Sequence, residues 1–468
     1  MLGVSTLPRS TPESQGLSAA ALEAFVAALD ASDQELQTVI LVRHGQVVLE
    51  EEWAPYRIAD RHLLFSVSKS FTSMGIGLLV EAGKLSIDDP VVSFFGADER
   101  PGKISDNLAA MKLRHLLTMT TGHAQDTIEA LGRDQRMARN FLSLEVAHEP
   151  GAPFVYNTGA TYMLSAILQK VTGETLLDYL RPRLFEPLGA TEAIWEISRE
   201  GITKGGWGLS LSTDSLARFG QLLLQRGSWE GKQVIPAAWI DEATKKQVDN
   251  SNQDNPDWQE GYGYQFWRAR NNAYRGDGAF GQFCLIFPEH DAALIVTSAS
   301  PDMQAVTDIV WAHLLPALQG KQGDGTARPA KLEIAPPAGP VAKGDGKTYR
   351  FDSNLASLTA VKLDPDGTGT FSFEIGGENY DATVPAGSKQ DVVCAPGGWQ
   401  EVRDELTDPQ QRLVTSAHAD GDAFVATFRY LETPYAATFT CRPDGDGLTI
   451  DVRYNVSFGP TEFSLHSQ

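Results

Sequence analysis

The residues best suited to chemistry lie in the stretch Ser66-Val67-Ser68-Lys69. Positions i and i+3 share one face of a helix, so the Ser66 hydroxyl and the Lys69 amine can meet there. A serine hydroxyl is a poor nucleophile unless a neighbouring base takes its proton. Burial among apolar residues lowers the pKa of a lysine, which can then act as that base near neutral pH. The spacing predicts a nucleophile–base pair, although a helix-capping serine with an unrelated lysine fits the same four letters.

A second stretch places Tyr156 on a loop between Glu149-Pro150-Gly151 and a helical pattern at Thr161–Val171. A phenol in that position can exchange a proton or donate a hydrogen bond to the serine. A core tyrosine with a satisfied hydroxyl fits the same pattern. Both interpretations remain open on these residues alone.

A third stretch, from Gly276 to Gly281, matches the letters of the G-x-G-x-x-G dinucleotide fingerprint. That fingerprint needs a strand before the first glycine and a helix after the last. We expect no strand to run into Gly276, and a strand-like run, Gln282–Phe287, follows instead of a helix. We therefore reject dinucleotide binding and expect glycines at the start of an edge strand that lines a cleft.

Taken in this order, the three stretches resemble the penicillin-recognising serine hydrolase family. This family includes class C β-lactamases, D-alanyl-D-alanine carboxypeptidases, D-aminopeptidases and β-lactamase-like esterases and amidases. The resemblance extends from about residue 8 to residue 318 and includes the linking stretches LRHLLTMTTGH and GYGYQFW. It implies a β-lactamase/transpeptidase-like α/β domain, with an antiparallel sheet flanked by helices plus an all-helical part.

The resemblance also implies a role for each matching residue. Ser66 is the expected nucleophile that forms an acyl-enzyme, with Lys69 as its proton acceptor. Tyr156 matches the tyrosine of the Y-x-N motif, a shared general base and later acid. The backbone N–H groups of Ser66 and Ala279 are the expected oxyanion hole.

The sequence departs from the family pattern after Tyr156. The third position of the Y-x-N motif is Thr158 rather than asparagine. A hydroxyl there can still hydrogen-bond Lys69 or the substrate, but the second function of the amide is lost. Asn157, displaced by one position, is a candidate to compensate for it.

The second departure concerns the Lys-Thr-Gly or His-x-Gly motif, which aligns with Gly276-Asp277-Gly278. The cation that helps to hold a substrate carboxylate in the family is absent, and Asp277 replaces a neutral hydroxyl. Such a carboxylate repels a substrate carboxylate. Arg275 adjoins the motif, but neighbouring strand residues point to opposite faces. We therefore expect weak or absent β-lactamase activity and hydrolysis of an ester or an amide (peptide-like) bond, with the substrate-binding residues Thr158, Asn157, Gly276, Asp277 and Gly278.

The elements that must position these residues follow from hydrophobic periodicity. Helical patterns occur at Ser18–Ala31, Ser66–Ala82, Leu113–Met119, Thr161–Val171, Ser212–Gln225, Ala237–Thr244 and Met303–Leu318. Strand-like runs occur at Tyr262–Trp267, Gln282–Phe287 and Ala292–Ser298, and a hairpin is expected around Arg43-His44-Gly45. Strands at both ends with helices between them predict a mainly antiparallel sheet closed by distant segments.

Changes in composition and residue pattern along the sequence predict two domains joined by a linker. Residues 321–347 are rich in Gly, Pro, Ala and Lys, as linkers are. Residues 1–320 form the expected hydrolase domain. Residues 348–468 alternate apolar and polar positions between Asp-Gly and Pro-Gly turns, which predicts an antiparallel β-barrel or sandwich.

Composition narrows the class of protein further. Lys+Arg number 39 and Asp+Glu 60, a formal net charge of −21. Such a chain repels phosphate backbones and anionic lipid, so we expect no nucleic-acid partner. No apolar run predicts a membrane span and no signal peptide is visible, so we expect a cytoplasmic protein, a secreted mature form remaining open. Three scattered cysteines fit a reducing compartment. We expect no metal and no cofactor, a small-molecule or peptide substrate, and an oligomeric state open to homo-oligomers.

Other candidates have simpler explanations. His62 is expected to be structural, and His115 and His123 lie in a packing segment, with His123 near the cleft. The aromatic residues Trp207, Trp267, Tyr264 and Phe280 are candidates for pocket walls, although core positions are the commoner outcome. Two other functions stay open: acyl transfer by the same site, and a ligand-binding or sensor module whose third motif has degenerated.

Overall fold

The computed structural model describes residues 6–132, 136–151, 153–375, 387–407 and 409–468. The chain divides into two compact units. The first comprises Met1–Glu51 and Ile58–Ala330, and the second comprises Glu52–Arg57 and Lys331–Gln468. The boundary between the two units, after residue 330, therefore falls inside the proline-rich segment 321–347.

The first unit is built on an antiparallel sheet whose order is β2-β1-β11-β10-β9-β8. Its strands are β1 (Glu35–Arg43), β2 (Gln46–Glu52), β8 (Trp267–Arg268), β9 (Tyr274–Gly278), β10 (Gln282–Phe287) and β11 (Ala292–Ala299). The long pairing of β1 with β11 joins the two ends of the unit. Every residue of β9, β10 and β11 is buried, so both faces of this sheet are covered.

Helices supply the rest of the first unit. They are α1 (Ala19–Asp30), α2 (Ser68–Glu81), α3 (Asp106–Ala110), α4 (Leu113–Leu117), α5 (Met137–Ser143), α6 (Thr158–Thr172), α7 (Leu176–Leu180), α8 (Thr213–Leu224), α9 (Ala237–Thr244), α10 (Met303–Ile309) and α11 (Leu315–Leu318). The amphipathic α8 packs against β1, β10 and β11. The nearly all-buried α2 packs against α6, α7 and β9. Short strands complete the unit: β3 (Arg61–Leu63), β4 (Ile194–Trp195), β5 (Leu209–Ser212), β6 (Ser228–Trp229) and β7 (Lys232–Gln233).

The second unit consists of antiparallel strands in two sheets. One sheet has the order β12-β13-β14-β15 and the other β16-β17-β18-β19-β20-β21. The strands are β12 (Thr348–Arg350), β13 (Leu358–Leu363), β14 (Gly369–Glu374), β15 (Lys389–Cys394), β16 (Gln400–Asp404), β17 (Gln411–Asp420), β18 (Ala423–Tyr430), β19 (Ala436–Asp444), β20 (Gly447–Tyr454) and β21 (Glu462–His466). Both sheets contribute aromatic side chains to one core, in which Phe371, Phe428 and Phe439 meet.

The expected fold class is confirmed, with an antiparallel sheet and helices in the first unit and a β-sandwich in the second. The expected strand at Tyr262–Trp267 is wrong: this stretch has isolated bridges at Tyr262, and only Trp267 begins a strand. The statement that no strand runs into Gly276 is also wrong, because β9 begins at Tyr274. Cys284, Cys394 and Cys441 are free and buried. In the described ranges, no helix is both long and apolar enough to cross a membrane.

Candidate active site

Ser66 lies in a 3₁₀ turn, Phe65–Val67, that leads directly into α2. The residue before it, Phe65, has a φ of 46°, and Phe280 on the other side of the site has a φ of 64°. Left-handed backbone costs a bulky residue about 1–3 kcal/mol and is concentrated at functional sites. The two phenyl rings meet edge to face, with centroids 5.5 Å apart. Their packing braces the two left-handed residues, which are the sequence neighbours of Ser66 and Ala279.

The polar residues of α2 fix the helix that carries Lys69. Ser70 donates a hydrogen bond to the carbonyl of Gln265 at 3.0 Å, and Thr72 donates to the carbonyl of Gly205 at 2.7 Å. Both side chains are buried. Because their partners lie on two different loops, these bonds tie the loops to the helix beneath the site.

Lys69 makes three hydrogen bonds through its amine. The Nζ atom donates to Ser66 Oγ at 2.8 Å, to the carbonyl of Gly206 at 2.8 Å and to Thr158 Oγ1 at 3.3 Å. The predicted meeting of Ser66 and Lys69 on one face is thus observed. Thr158, the residue that departs from the family motif, reaches the lysine with its hydroxyl.

The environment of Lys69 favours its neutral form. The side chain is 1% exposed, and loss of solvation lowers its pKa to about 7. The carboxylates of Asp126 and Asp277 act in the opposite direction and raise this pKa. The two influences leave the amine poised to accept a proton near neutral pH.

Tyr156 faces the same amine. Lys69 Nζ lies 4.9 Å from the centroid of its ring, and the ring stacks on Trp267 at 5.2 Å. Burial, followed by the negative charge of Asp277, raises the pKa of the Tyr156 phenol well above its usual value, while a hydrogen bond with Ser66 lowers it. The phenol therefore stays protonated at neutral pH and is suited to donate a proton.

Asn157 occupies a different place from the one expected of a compensating amide. It is the N-cap of α6, and its Oδ1 accepts from the N–H of Ala160 at 3.2 Å and from Thr127 Oγ1 at 2.7 Å. Its side chain is fully buried. The structure therefore places Asn157 in the helix cap, and Thr158 is the residue that approaches Lys69.

The glycines of β9 allow this strand to lie directly against the start of α2. A Cβ at Gly278 would lie 2.1 Å from the carbonyl oxygen of Leu64, and one at Gly276 would lie 2.7 Å from Ser70 Oγ. No side chain fits at either distance. The close approach brings Ala279, at the end of the strand, beside the turn that holds Ser66.

Asp277 does not stand alone, which corrects the expectation that Arg275 points away from it. The two residues are separated by two positions on β9 and therefore share a face. Arg275 Nε donates to Asp277 Oδ2 at 3.0 Å, and the side chains of both residues are almost fully buried. Burial raises the pKa of Asp277, while Arg275 and Lys69 lower it. The guanidinium also lies 4.4 Å from the ring of Trp258.

Some residues of the site were missed by the sequence reasoning. Gly206, whose carbonyl binds Lys69, follows Gly205, and a Gly-Gly pair beside Trp207 signals a close backbone approach. Asp126 accepts from the N–H of Thr158 at 2.9 Å and influences Lys69, yet no motif surrounds it. Trp258, which packs on Arg275, gave no signal either.

The remaining candidates are dispersed. Trp267 and Phe280 border the site through Tyr156 and Phe65, whereas Tyr264 packs on Trp239 and Trp207 lies near Tyr162. His62 and His123 are buried. Burial lowers the pKa of His123, and of His115, to about 4, so both imidazoles are neutral at pH 7. Among the residues that the structure describes, no group of three His, Cys, Asp or Glu side chains is placed to hold a metal ion.

Comparison with known proteins gives the family of the chain. The Beta-lactamase family model matches residues 22–316. The chain belongs to this family, and it is an enzyme of the β-lactamase-like serine hydrolase class.

Named relatives act on amide or ester bonds. The chain is similar to a 6-aminohexanoate-dimer hydrolase of Paenarthrobacter ureafaciens, 23% identical over 330 residues, 64% of this chain and 83% of that protein. It is similar to a D-aminopeptidase of Brucella anthropi, 28% identical over 37% of this chain and 35% of that protein. It is also similar to a lovastatin esterase of Penicillium rubens, 27% identical over 34% of this chain and 45% of that protein.

Solved structures share the fold. A putative 6-aminohexanoate-dimer hydrolase from Bacillus anthracis matches with a TM-score of 0.55 at 21% identity, over 68% of this chain and 88% of that one. An octameric penicillin-binding protein homologue from Pyrococcus abyssi matches with a TM-score of 0.52 at 17% identity, over 95% of this chain and 99% of that one.

Proposed function

We propose that this enzyme hydrolyses an ester or amide bond through an acyl-enzyme on Ser66. The observation that carries the proposal is the 2.8 Å contact between Lys69 Nζ and Ser66 Oγ, made by a buried lysine whose pKa is about 7. A neutral amine in this position can take the serine proton as the serine attacks.

In the first half of the reaction, Ser66 Oγ bonds to the substrate carbonyl carbon and its proton passes to Lys69 Nζ. The carbonyl oxygen becomes an oxyanion, held by the backbone N–H groups of Ser66 and Ala279. As the carbon–oxygen or carbon–nitrogen bond breaks, Tyr156 protonates the leaving group and regains a proton from Lys69. The products of this half are the free alcohol or amine and an ester on Ser66.

In the second half, water takes the place of the leaving group. Lys69 and Tyr156 remove its proton as its oxygen attacks the ester carbon, and the proton returns to Ser66 Oγ when the ester breaks. The carboxylic acid leaves. The reaction uses water, the side chains of Ser66, Lys69 and Tyr156, and two backbone N–H groups.

The pair of Asp277 and Arg275 bears on the choice of substrate. Arg275 Nε donates to Asp277 at 3.0 Å, so the two opposite charges offset each other and the pair adds no net positive charge at the Gly276-Asp277-Gly278 motif. A substrate that depends on a carboxylate at that position gains little there. We therefore infer a preference for neutral or cationic substrates and weak or absent β-lactam hydrolysis, in keeping with relatives named for amide and ester hydrolysis.

The first test is covalent labelling of the full chain, followed by intact-protein mass. The probes are an activated p-nitrophenyl ester, a fluorophosphonate and a penicillin. We expect a mass increase with the first two, lost in Ser66→Ala and retained in Ser68→Ala, a matched serine of the same stretch. Stable labelling by penicillin would overturn the inferred substrate preference.

The alternatives predict other outcomes. No adduct and no nitrophenol release from any probe would favour a degenerate ligand-binding module. Transfer of the acyl group to an added alcohol or amine in preference to water would favour an acyltransferase. The intact contact between Ser66 and Lys69 argues against the binding module.

A further inference from the structure

The second unit contains a cavity of about 190 Å³ inside its β-sandwich, lined by side chains from both sheets. Aromatic rings form much of its wall. Phe373, Phe428 and Phe439 pack edge to face, with centroids between 5.0 and 6.2 Å apart. The phenol rings of Tyr430 and Tyr454 also line it. An apolar cavity of about 150 Å³ accepts a molecule the size of benzene, so this one has room for a small ligand.

One carboxylate lines this otherwise mainly apolar cavity. Asp404 ends β16, on the inward side with Val402, and is 9% exposed. Its Oδ1 accepts from the N–H of Leu406 at 3.0 Å. In the described part of the chain, no lysine, arginine or histidine pairs with it, and burial raises its pKa.

The neighbouring polar groups do not supply the missing partner. Gln390 also lines the cavity, but its amide is committed to the backbone: its nitrogen donates to the carbonyl of Arg403, and its oxygen accepts from the N–H of Glu405 at 2.9 Å. Burial, followed by the nearby negative charge of Asp404, raises the pKa of the Tyr430 phenol. The carboxylate thus faces a cavity rather than a built ion pair.

Burial of a carboxylate without a cation costs free energy. A cation bound beside Asp404 would offset that cost. The faces of aromatic rings attract cations as well. A small organic cation with an apolar body satisfies both, since its charge meets Asp404 and its body lies against the rings. The overall charge of −21 also concentrates cations near the protein.

We propose that this cavity is a second binding site, separate from Ser66, for a small alkylammonium-type cation, with the ammonium on Asp404 and the alkyl chain among Phe373, Phe428 and Phe439. The proposal concerns the second unit alone and does not depend on the reaction at Ser66.

The test is calorimetric titration of the full chain with n-hexylammonium, n-hexanol and n-hexanoate, which share an alkyl chain and differ in charge. We expect hexylammonium to bind with one-to-one stoichiometry, at least about tenfold more tightly than hexanol, the margin of one charge-assisted hydrogen bond. Hexanoate should not bind. Equal affinity for hexylammonium and hexanol, or no binding by either, would overturn the proposal.

Two variants locate the site. Asp404→Asn keeps the shape of the side chain and should remove the preference for hexylammonium over hexanol. Asp391→Asn removes an exposed carboxylate from the neighbouring β15 and should leave binding unchanged. Hexylammonium binding that survives in a folded Asp404→Asn protein would place the ligand elsewhere and refute the assignment. The comparison of the three ligands uses the native chain, so it decides the matter even where Asp404→Asn fails to fold. The rate of ester hydrolysis, measured in each variant, shows separately whether the first unit is intact.

Discussion

At Lys69, two opposing effects set the protonation state. Burial removes water from the ammonium form and lowers the pKa, whereas the carboxylates of Asp126 and Asp277 stabilise that form. Without those charges the pKa of the buried lysine would be lower still, and its neutral amine would be a weaker base. In the proposed mechanism, the two carboxylates thus keep the amine basic enough to take a proton from Ser66.

This balance predicts the pH dependence of the reaction. Lys69 must be neutral to accept the Ser66 proton, so kcat/KM should rise with pH through about 7, the pKa of Lys69. Replacing Asp277 with asparagine removes a negative charge and leaves Arg275 uncompensated. Both changes disfavour the ammonium form, so the pKa of Lys69 falls. The acid limb of the profile should move to lower pH by about one unit.

The measurement is kcat/KM for a neutral p-nitrophenyl ester from pH 5 to pH 9 in the native enzyme, Asp277→Asn and Asp391→Asn. The last variant removes a carboxylate in the other unit and should keep the native profile. An acid limb that stays in place in Asp277→Asn, or moves to higher pH, would contradict the assignment of Lys69 as the base.

At the scale of elements, two neighbouring residues at the start of α6 make different contacts. Asn157 caps the helix with its side-chain oxygen, and Thr158, one residue later, reaches Lys69. The sequence makes Asn157 a candidate to compensate for the amide that Thr158 lacks. Their roles differ because a cap residue turns its side chain back onto the free N–H groups of the first helical turn.

Asn157→Ala should therefore lower stability rather than shift the chemistry. The variant leaves the N–H of Ala160 and the hydroxyl of Thr127 without their acceptor. We expect the free energy of unfolding to fall by about 1–3 kcal/mol in a urea titration. Asn157→Ser, which restores a capping oxygen, should recover part of the loss. An unchanged midpoint with a large loss of kcat would instead assign Asn157 to the substrate.

α8 was predictable because its apolar residues recur with helical spacing over several turns, and α2 because its stretch is apolar nearly all round, as in a buried helix. The strand predicted at Tyr262–Trp267, by contrast, was wrong. Its aromatic residues suit a strand, yet Trp267 stacks on Tyr156 and Tyr262 packs against both rings. Tertiary packing decided that conformation, and β-propensity cannot show it.

The residues of the candidate site were predictable to different degrees. Ser66, Lys69 and Tyr156 belong to motifs with fixed spacing, and the structure brings them together. The pairing of Arg275 with Asp277 was missed, although strand alternation places residues two positions apart on the same face. Asp126 lies in a loop outside the three motifs, so only the folded chain shows its influence on Lys69.

At the scale of the whole molecule, acidic residues outnumber basic ones by 60 to 39. A net charge of −21 produces a long-range potential that attracts cations and repels anions. Salt screens this potential over about 8–10 Å at physiological ionic strength. The buried pair of Asp277 and Arg275 is screened far less, because water and ions do not reach it. A change in salt concentration therefore distinguishes the effect of the overall charge on substrate binding from the effect of the buried pair.

This difference predicts how substrate charge and salt combine. We expect kcat/KM for an ester with a terminal ammonium to fall by about three- to tenfold as the ionic strength rises from about 0.02 to 0.3 M. A sulfonate-terminated ester of the same length should gain over that range, and a hydroxyl-terminated one should change little. In Asp277→Asn the three salt dependences should keep their native slopes while the pH profile moves, because the substitution alters a buried charge and hardly alters the surface potential. Identical salt dependence for all three esters would mean that the acidic surface lies away from the entrance to the site, and the preference for cationic substrates would then rest on groups inside the cleft alone.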